Sequence, residues 1–308
     1  MLLRSLKLWV IVLIFLSFSI VAVAEENTTG IEEEENDDVT RHVRKSRFPR
    51  LEKEEDDDHF LFHHNPTISL CYGLSKNRLK NLNRSFADPG LAEIKLGFSS
   101  KDPKFDPEKI FKYDYVYFSA TNISTDLGQE SNSDEIETDL WRLDLGWENG
   151  YGYALGKSSI TLYNSSGSGW SELKIKDDEL SPSDSSLLSR WDDSFRFGIK
   201  REGGARIQLI PILSLDAGYE RAVVFSRFVF WEAVLSMALD DGAQFLLDQF
   251  IDEIGESSPY AVPVVNFFLK NGLSYAVYEL RKDKMNWPFD SAPPLCIDSF
   301  KFGLTFVF

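Results

Sequence analysis

The stretch "DSFKFGLTFVF", residues 298–308, alternates large apolar side chains with polar or smaller ones at every second position. Such an alternation predicts a β-strand, because successive side chains of a strand point to opposite faces. One face presents Phe302, Leu304, Phe306 and Phe308. A face this rich in aromatic groups must either pack on a core or contact lipid, and the remainder of the chain discriminates between the two.

Short stretches with the same alternation recur from Pro66 onward. They carry apolar residues on one face and charged, hydroxyl or glycine residues on the other, as half-apolar strands do. Together with the last strand, eight can be assigned. Ten is the alternative, because the third strand and the stretch 193–209 are poorly delimited. The other seven strands are predicted at 67–75, 91–99, 112–121, 139–147, 151–163, 194–209 and 213–224.

The connections between the predicted strands alternate in length. Outer-membrane barrels have short turns on one side of the membrane and long loops on the other. Only the connection 101–110 is longer than such a turn should be. The predicted turns are 210–212 and an Asn-Gly turn at 148–150, and the predicted long polar loops are 76–90, 122–137 and 165–192.

These features predict a mainly β fold, namely a transmembrane antiparallel up-and-down β-barrel rather than a soluble β-sandwich. No backbone group can stay unpaired in hydrocarbon, so a β protein in a membrane must close on itself with its apolar side chains outward. An aromatic content of 14% also fits the girdles that such barrels place at the membrane interface.

The polar faces of the predicted strands carry charges of both signs in similar number. An eight-stranded barrel is too narrow for an open channel, so we expect paired charges to fill the lumen. A permeation or ligand path is the alternative. The predicted lumen charges are Glu93, Lys95, Arg142, Asp144, Arg196, Lys200, Asp216, Glu220 and Lys301.

The segment 226–284 departs from the strand pattern. Its apolar residues recur every three or four positions, which predicts a helical insertion between the last two strands, on the side of the long loops. The helices could cap the barrel, plug its mouth or lie at the membrane interface. Because their polar faces are acidic, we expect a self-packed cap. Deleting the insertion should then leave barrel assembly intact and increase permeability.

The chain before the barrel has two parts. Residues 1–24 are typical of a secretory signal peptide, with Arg4 and Lys7 before an apolar run and Ala22-Val23-Ala24 as the cleavage site. Residues 25–65 form an acidic tail that we expect to be disordered. Its 14 acidic and 6 basic side chains hold half of the net charge of −16, a balance that disfavours nucleic acid as a partner. The barrel is assigned to residues 66–308.

Histidine and cysteine are scarce. All four histidines precede the first predicted strand, and three of them lie beside three aspartates, where a solvated linker is favoured over a loose metal site. The two cysteines, Cys71 and Cys296, allow one bridge but no cysteine-based metal site. The four histidines are His42, His59, His63 and His64.

With its signal peptide, its alternating strands and the terminal "FKFGLTFVF", the chain resembles bacterial outer-membrane β-barrel proteins of the small eight-stranded type. The resemblance implies residence in the bacterial outer membrane, in contact with its lipid. It also implies that the barrel-assembly machinery recognises the last strand, where Phe302, Leu304, Phe306 and Phe308 match the family's assembly signal.

For function, we expect a structural or surface-interaction barrel whose external loops and helices contact an unidentified surface or periplasmic partner. A narrow transport or ligand-binding barrel is the alternative. Outer-membrane enzymes of this architecture depend on a histidine within the barrel, and none lies after residue 64. We therefore expect no enzyme, and carboxylate-only catalysis by Asp144, Asp216 or Glu220 is a disfavoured alternative to a lumen of ion pairs. No catalytic residue, cofactor or metal is predicted.

Overall fold

A computed structural model describes residues 65–308 except 107, 129–131, 133 and 177–179. The predicted signal peptide at 1–24 and the predicted tail as far as residue 64 lie outside the described residues. The same holds for His42, His59, His63 and His64.

In the described part of the chain, eight antiparallel strands form a closed barrel. Each strand pairs with its neighbours in sequence, and β1 pairs with β8 to close the sheet. The predicted fold class is confirmed, with eight strands rather than ten. The strands are β1 Asn65–Leu79, β2 Gly90–Pro103, β3 Ile110–Ser124, β4 Thr138–Leu155, β5 Ser158–Ile175, β6 Ser194–Ile210, β7 Leu213–Val224 and β8 Leu295–Val307.

The connections define two ends of the barrel. At the turn end the strands are joined by the short connections 104–109, 156–157 and 211–212. At the loop end they are joined by 80–89, 125–137, 176–193 and the helical insertion. The predicted alternation of short and long connections is therefore present, and the insertion begins and ends at the loop end.

The predicted turn at 148–150 is wrong. β4 continues through Asn149 and Gly150, which pair with residues of β5, and the chain turns at Gly156 instead. Gly156 has a φ of +68°, which glycine adopts without strain and which two-residue hairpin turns require. Gly150 is needed for a different reason, because a Cβ there would lie 2.1 Å from the carbonyl oxygen of Leu162.

The outer wall of the barrel is apolar over much of its circumference. Alternate side chains point away from the lumen and remain exposed, Leu96 at 45% and Phe302 at 58%. An apolar surface that extends over so many strands is typical of a wall that contacts hydrocarbon. It also includes Leu70, Tyr72, Leu74, Ile94, Val116, Phe118, Trp141, Leu143, Leu145, Trp147, Leu215, Phe300 and Leu304.

An apolar plug closes the barrel at the loop end. Inward-facing side chains from the strand ends pack against residues of the three loops, including Phe86, Ile136 and Trp191. The loops are also tied to one another, since the backbone N–H and the side-chain Nδ2 of Asn83 both donate to Asp184 Oδ1 at 3.0 Å. The backbone donor from Asn83 holds the pKa of the Asp184 carboxyl below its ordinary value. The plug consists of Phe86, Leu91, Ile123, Ile136, Leu140, Leu173, Leu188, Trp191, Ala222, Val224, Leu295 and Ile297.

Three α-helices occur in the described residues. α1, Pro182–Leu188, lies in the loop 176–193. α2, Phe230–Ser257, and α3, Val262–Arg281, form the insertion and are joined by a short 3-10 turn at Pro259–Ala261. We call α2 and α3 with this turn the helical hairpin. By hydropathy, none of the helices in the described residues is long and apolar enough to cross a membrane.

The helical hairpin does not cap the barrel mouth, so that prediction is wrong. It runs along the outer wall from the loop end to the turn end. Near the C-terminus of α2, at the turn end, Gly255 lies so close to the Phe105 ring that a Cβ on Gly255 would come within 2.1 Å of that ring. In the turn between the helices, Tyr260 accepts a hydrogen bond at its carbonyl from Tyr153 and donates from its hydroxyl to Asp106. The loops close the barrel mouth instead.

Candidate functional site

The centre of the lumen is occupied by the ammonium group of Lys301, a residue of β8. Its Nζ donates to Glu93 Oε2 at 2.7 Å, to Glu202 Oε2 at 2.7 Å and to Glu220 Oε2 at 2.8 Å. All four side chains are at least 96% buried. Because Lys301, Glu93, Glu202 and Glu220 come from β8, β2, β6 and β7, this contact ties strands across the lumen rather than along it.

Two further lysines extend the contact. Lys95 Nζ donates to Glu148 Oε1 at 2.8 Å and to Glu202 Oε2 at 3.1 Å. Lys200 Nζ lies 2.9 Å from Glu93 Oε1 and 3.0 Å from Asp144 Oδ2. Each of these two lysines therefore bridges a pair of carboxylates.

Two arginines complete the network. Arg142 donates from Nε to Asp144 Oδ2 at 2.8 Å and from its terminal nitrogen to Glu220 Oε1 at 2.6 Å. Arg206 donates to Glu148 Oε2 at 3.1 Å and also contacts Asp216. We call the eleven residues the ion-pair network: Glu93, Lys95, Arg142, Asp144, Glu148, Lys200, Glu202, Arg206, Asp216, Glu220 and Lys301.

The charges in the ion-pair network nearly balance, with six acidic and five basic side chains. A buried charge without a partner is costly, and here every member has at least one partner of opposite sign. The network can therefore fill a narrow lumen without open space. It also crosslinks opposite sides of the barrel, because the Lys95–Glu202 and Lys200–Glu93 pairs join β2 to β6.

Two tyrosines, Tyr113 and Tyr163, lie next to the network on the side of the turn end, and we call them the tyrosine layer. The guanidinium of Arg206 lies 5.0 Å from the ring centroid of Tyr113 and 5.3 Å from that of Tyr163. Tyr163 also donates to Glu202 at 3.0 Å. Cation–π contacts of this kind stabilise an arginine away from water, so the aromatic layer helps to hold Arg206 at the edge of the network.

Of the nine lumen charges that the sequence predicts, eight lie in the ion-pair network. The ninth, Arg196, lies on the same face of β6 nearer the loop end. It is half-buried, and its Nε has no hydrogen-bond partner among the described residues. It pairs with Ser171 on β5 and lies four residues before Lys200, toward the loop end, so it lies beyond the carboxylates that occupy the middle of the lumen.

Sequence reasoning missed three members of the network. Glu148 was assigned to a turn, although its spacing from Arg142 and Asp144 places all three on one face of a strand. Glu202 and Arg206 belong to the glycine-containing half of β6 and follow Lys200 at even spacing. Continuing the period of two through both strands would have found them.

The three glutamates that surround Lys301 offer oxygens within 4.8 Å of one another, a spacing that could hold a metal ion. Lys301 Nζ lies within 2.8 Å of an oxygen of each of them. The ammonium group thus supplies the positive charge at this point. A divalent ion would have to displace it.

A vestibule opens at the turn end, beyond the tyrosine layer. Its volume is about 210 Å³, and it is lined in part by Lys101, Arg206, Gln208 and Ser214. Lys101 Nζ donates to Gln208 Oε1 at 2.7 Å and to Ser159 Oγ at 3.0 Å. The vestibule therefore has room for a small polar ligand.

The residues predicted as an assembly signal lie on β8 and at its end. Phe302 and Leu304 point outward and are exposed, and Phe306 is half-buried on the same face. Phe308 is exposed, and its backbone N–H donates to the carbonyl of Pro66 at 2.9 Å. The two cysteines are free, with Cys71 on the lumen face of β1 and Cys296 buried on the opposite face of β8.

No protein-family model matches this chain, and no curated protein matches it in sequence. Among solved structures it is similar to Neisserial surface protein A (NspA), with 10% identity and a TM-score of 0.39 over 79% of this chain and 97% of that one. It is also similar to Ail, the attachment invasion locus protein of Yersinia pestis, with 12% identity and a TM-score of 0.35 over 80% of this chain and 99% of Ail. At this level of similarity neither protein says what this chain binds, and the barrel assignment rests on the chain's own strand pairing.

Proposed function

We propose that this chain is a bacterial outer-membrane β-barrel with a closed lumen, acting as a structural or surface-interaction protein rather than as a transporter or an enzyme. The observation that carries the proposal is the filled lumen. The ion-pair network occupies its middle, and the apolar plug covers it at the loop end. With the lumen occupied, the surfaces available to partners are the loops and the outer wall.

Location in the outer membrane is supported by the exposed apolar side chains around the barrel and by the pattern of short turns and long loops. In this orientation the loop end faces the exterior and the turn end faces the periplasm. A surface partner would then meet the loops 80–89, 125–137 and 176–193.

We expect the purified protein to be silent in a planar lipid bilayer. Ions would have to pass the apolar plug and eleven mutually paired charges, and removing these charges from their partners is unfavourable. Folding is verified by the heat-modifiable gel migration of the barrel, and incorporation by flotation of the protein with the liposomes that are then fused to the bilayer. Reproducible conductance steps from incorporated protein would overturn the proposal in favour of transport.

The second candidate is a narrow ligand-binding or transport barrel, and the vestibule at the turn end favours it. Lys101 gives this cavity a positive charge beside Arg206, which is already paired with Glu148 and Asp216, and this charge suits a small anion reaching the cavity from the periplasm. The same bilayer experiment separates the two candidates when phosphate is added on either side, since a transport barrel would then change its current.

For assembly, we propose that the barrel-assembly machinery recognises the outward face of β8. Replacing Phe308 by alanine should lower the amount of folded barrel in outer-membrane fractions of cells and leave refolding in detergent unchanged, because Phe308 is exposed and packs little within the barrel. Leu155→Ala, at an exposed position near the turn end, is the control. Equal loss in cells and in detergent would show that Phe308 acts through stability instead.

A further inference from the structure

The outer wall of the barrel has one sector that is unlike the rest. On β5, β6 and β7 the outward positions near mid-height carry Ser166, Arg201, Gly203 and Arg221 where the other strands carry large apolar residues. Arginine and unpaired hydroxyl groups on a lipid-facing wall are unfavourable. This sector therefore needs a cover, and the helical hairpin lies over it.

The helices turn their polar residues toward that sector. On α3, the buried residues recur every three or four positions, and five of them are polar. The tyrosine hydroxyl of Tyr278 donates to Asp298 Oδ1 at 2.8 Å, and a Cβ on Gly203 would lie 2.4 Å from Asn271 Oδ1, so α3 lies directly on the strands. The five polar residues are Asn266, Lys270, Ser274, Tyr278 and Arg281.

A buried carboxylate joins both helices to the barrel. Asp240 of α2 is 4% exposed and lies 2.9 Å from the Arg201 guanidinium and 3.3 Å from that of Arg281. Asp241 also contacts Arg201, at 2.9 Å. The charge that Arg201 presents on the outer wall is therefore paired within the protein.

The opposite face of the hairpin is apolar and uncovered. Leu239 at mid-length of α2 is 54% exposed, and Phe268 on α3 is 68% exposed. This amphipathic arrangement is inverted with respect to a helix in water, whose polar face points outward. The exposed apolar set on the hairpin is Phe230, Trp231, Leu235, Leu239, Phe245, Leu246, Phe250, Val264, Phe268, Tyr275 and Leu280.

The dimensions of the apolar face match a bilayer. It extends on α2 from Phe230 to Phe250, which at 1.5 Å per residue is about 30 Å, close to the thickness of a hydrocarbon core. The exposed carboxylates of Asp252, Glu253 and Glu256 follow this face along α2, at the turn end. The acidic residues thus lie where the helix leaves the apolar zone.

From these observations we infer that the helical hairpin is part of the membrane-embedded wall of the protein, and that its exposed face contacts lipid acyl chains. The inference rests on the proposed outer-membrane location of the barrel. The hairpin continues the apolar surface of the strands around the sector that the strands leave polar. Lipid is the occupant because the face is continuous in height and chemistry with the lipid-facing strands on either side. Two carboxylates on its flank, Asp241 and Asp248, are paired with Arg201 and Lys270.

The test is to place spin labels on single cysteines in a background without the natural ones, Cys71→Ser and Cys296→Ala. The protein is reconstituted in vesicles of phosphatidylethanolamine and phosphatidylglycerol. Collisions with oxygen, which concentrates in acyl chains, are compared with collisions with a water-soluble nickel chelate. The labelled variants are Leu239→Cys and Phe268→Cys on the hairpin, Leu96→Cys on a bare strand and Glu253→Cys at the acidic end.

Labels at 239 and 268 should match the label at 96, with oxygen collisions dominant, and the label at 253 should report water. If 96 reports lipid and both 239 and 268 report water, the inference is overturned while the barrel stays in the membrane. If 239 and 268 are shielded from both probes while 96 is not, a protein covers the hairpin and the inference is again overturned. If 96 itself reports water, the proposed location fails first.

A second measurement uses the unmodified protein in the same vesicles, so it does not depend on the folding of any variant. A photoactivated apolar carbene dissolved in the bilayer should label peptides of α2 and α3 as strongly as those of β2 and β8. Labelling confined to the strands would overturn the inference.

Discussion

Replacing Lys301 by methionine is expected to destabilise the folded barrel by about 3–5 kcal/mol, the usual cost of removing one partner from a buried ion pair. Lys301 Nζ lies within 2.8 Å of three carboxylates that water does not reach. Without the ammonium group, Glu202 keeps Lys95 as its single cationic partner among the described residues, and the three glutamates repel one another. The midpoint of urea unfolding in detergent micelles, followed by gel migration, measures the loss.

The matched control is Lys157→Met, the same change in the exposed turn at 156–157. It should leave the unfolding midpoint unchanged. A second variant separates charge from packing, because Glu202→Gln in the Lys301→Met background removes one carboxylate as well as the cation. This double variant should recover part of the lost stability. If Lys301→Met unfolds like Lys157→Met, the ion-pair network does not hold the barrel together.

The barrel was predictable because the period of two is imposed by the pleat and by the different solvents on its two faces. β8 shows this most clearly, since Phe302 and Leu304 face outward while Lys301 and Thr305 lie in the lumen. The turn predicted at 148–150 was wrong because the glycine there allows close packing between strands and does not form a turn. Gly150 lies inside β4, and the error at that position concealed Glu148.

The helical insertion was predictable as helix but not in its position. A spacing of three and four shows which residues share a face of a helix, and it does not show what that face contacts. Asp240 and Arg281 belong to the buried face and Leu239 to the exposed one, the reverse of a helix in water. The sequence does contain a signal for this, namely Arg201 and Arg221 on outward positions of β6 and β7, because such residues require a cover in a lipid-facing wall.

Deleting residues 226–284 and joining the ends by a short linker is expected to lower the yield of folded barrel sharply, without raising the permeability of the barrels that do fold. The deletion uncovers Arg201, for which the cost of facing lipid is about 2–4 kcal/mol at the bilayer midplane, and its partner position on β7, Arg221, adds to this cost. Arg201 would also lose both of its carboxylate partners on α2. The plug loops and the ion-pair network lie outside the deleted segment, so the lumen stays closed.

Two substitutions should restore assembly of the chain that lacks residues 226–284. Arg201→Leu and Arg221→Leu make the uncovered sector apolar, and together they should restore folded barrel in membrane fractions, as judged by heat-modifiable migration. The same two substitutions in the full chain should lower the stability of the folded protein, because Asp240 then loses Arg201 and keeps Arg281. A substitution pair that helps one chain and harms the other is not expected from a hairpin that merely caps the mouth. If the deleted chain instead assembles normally and conducts ions, the hairpin blocks the lumen and the outer-wall assignment is wrong.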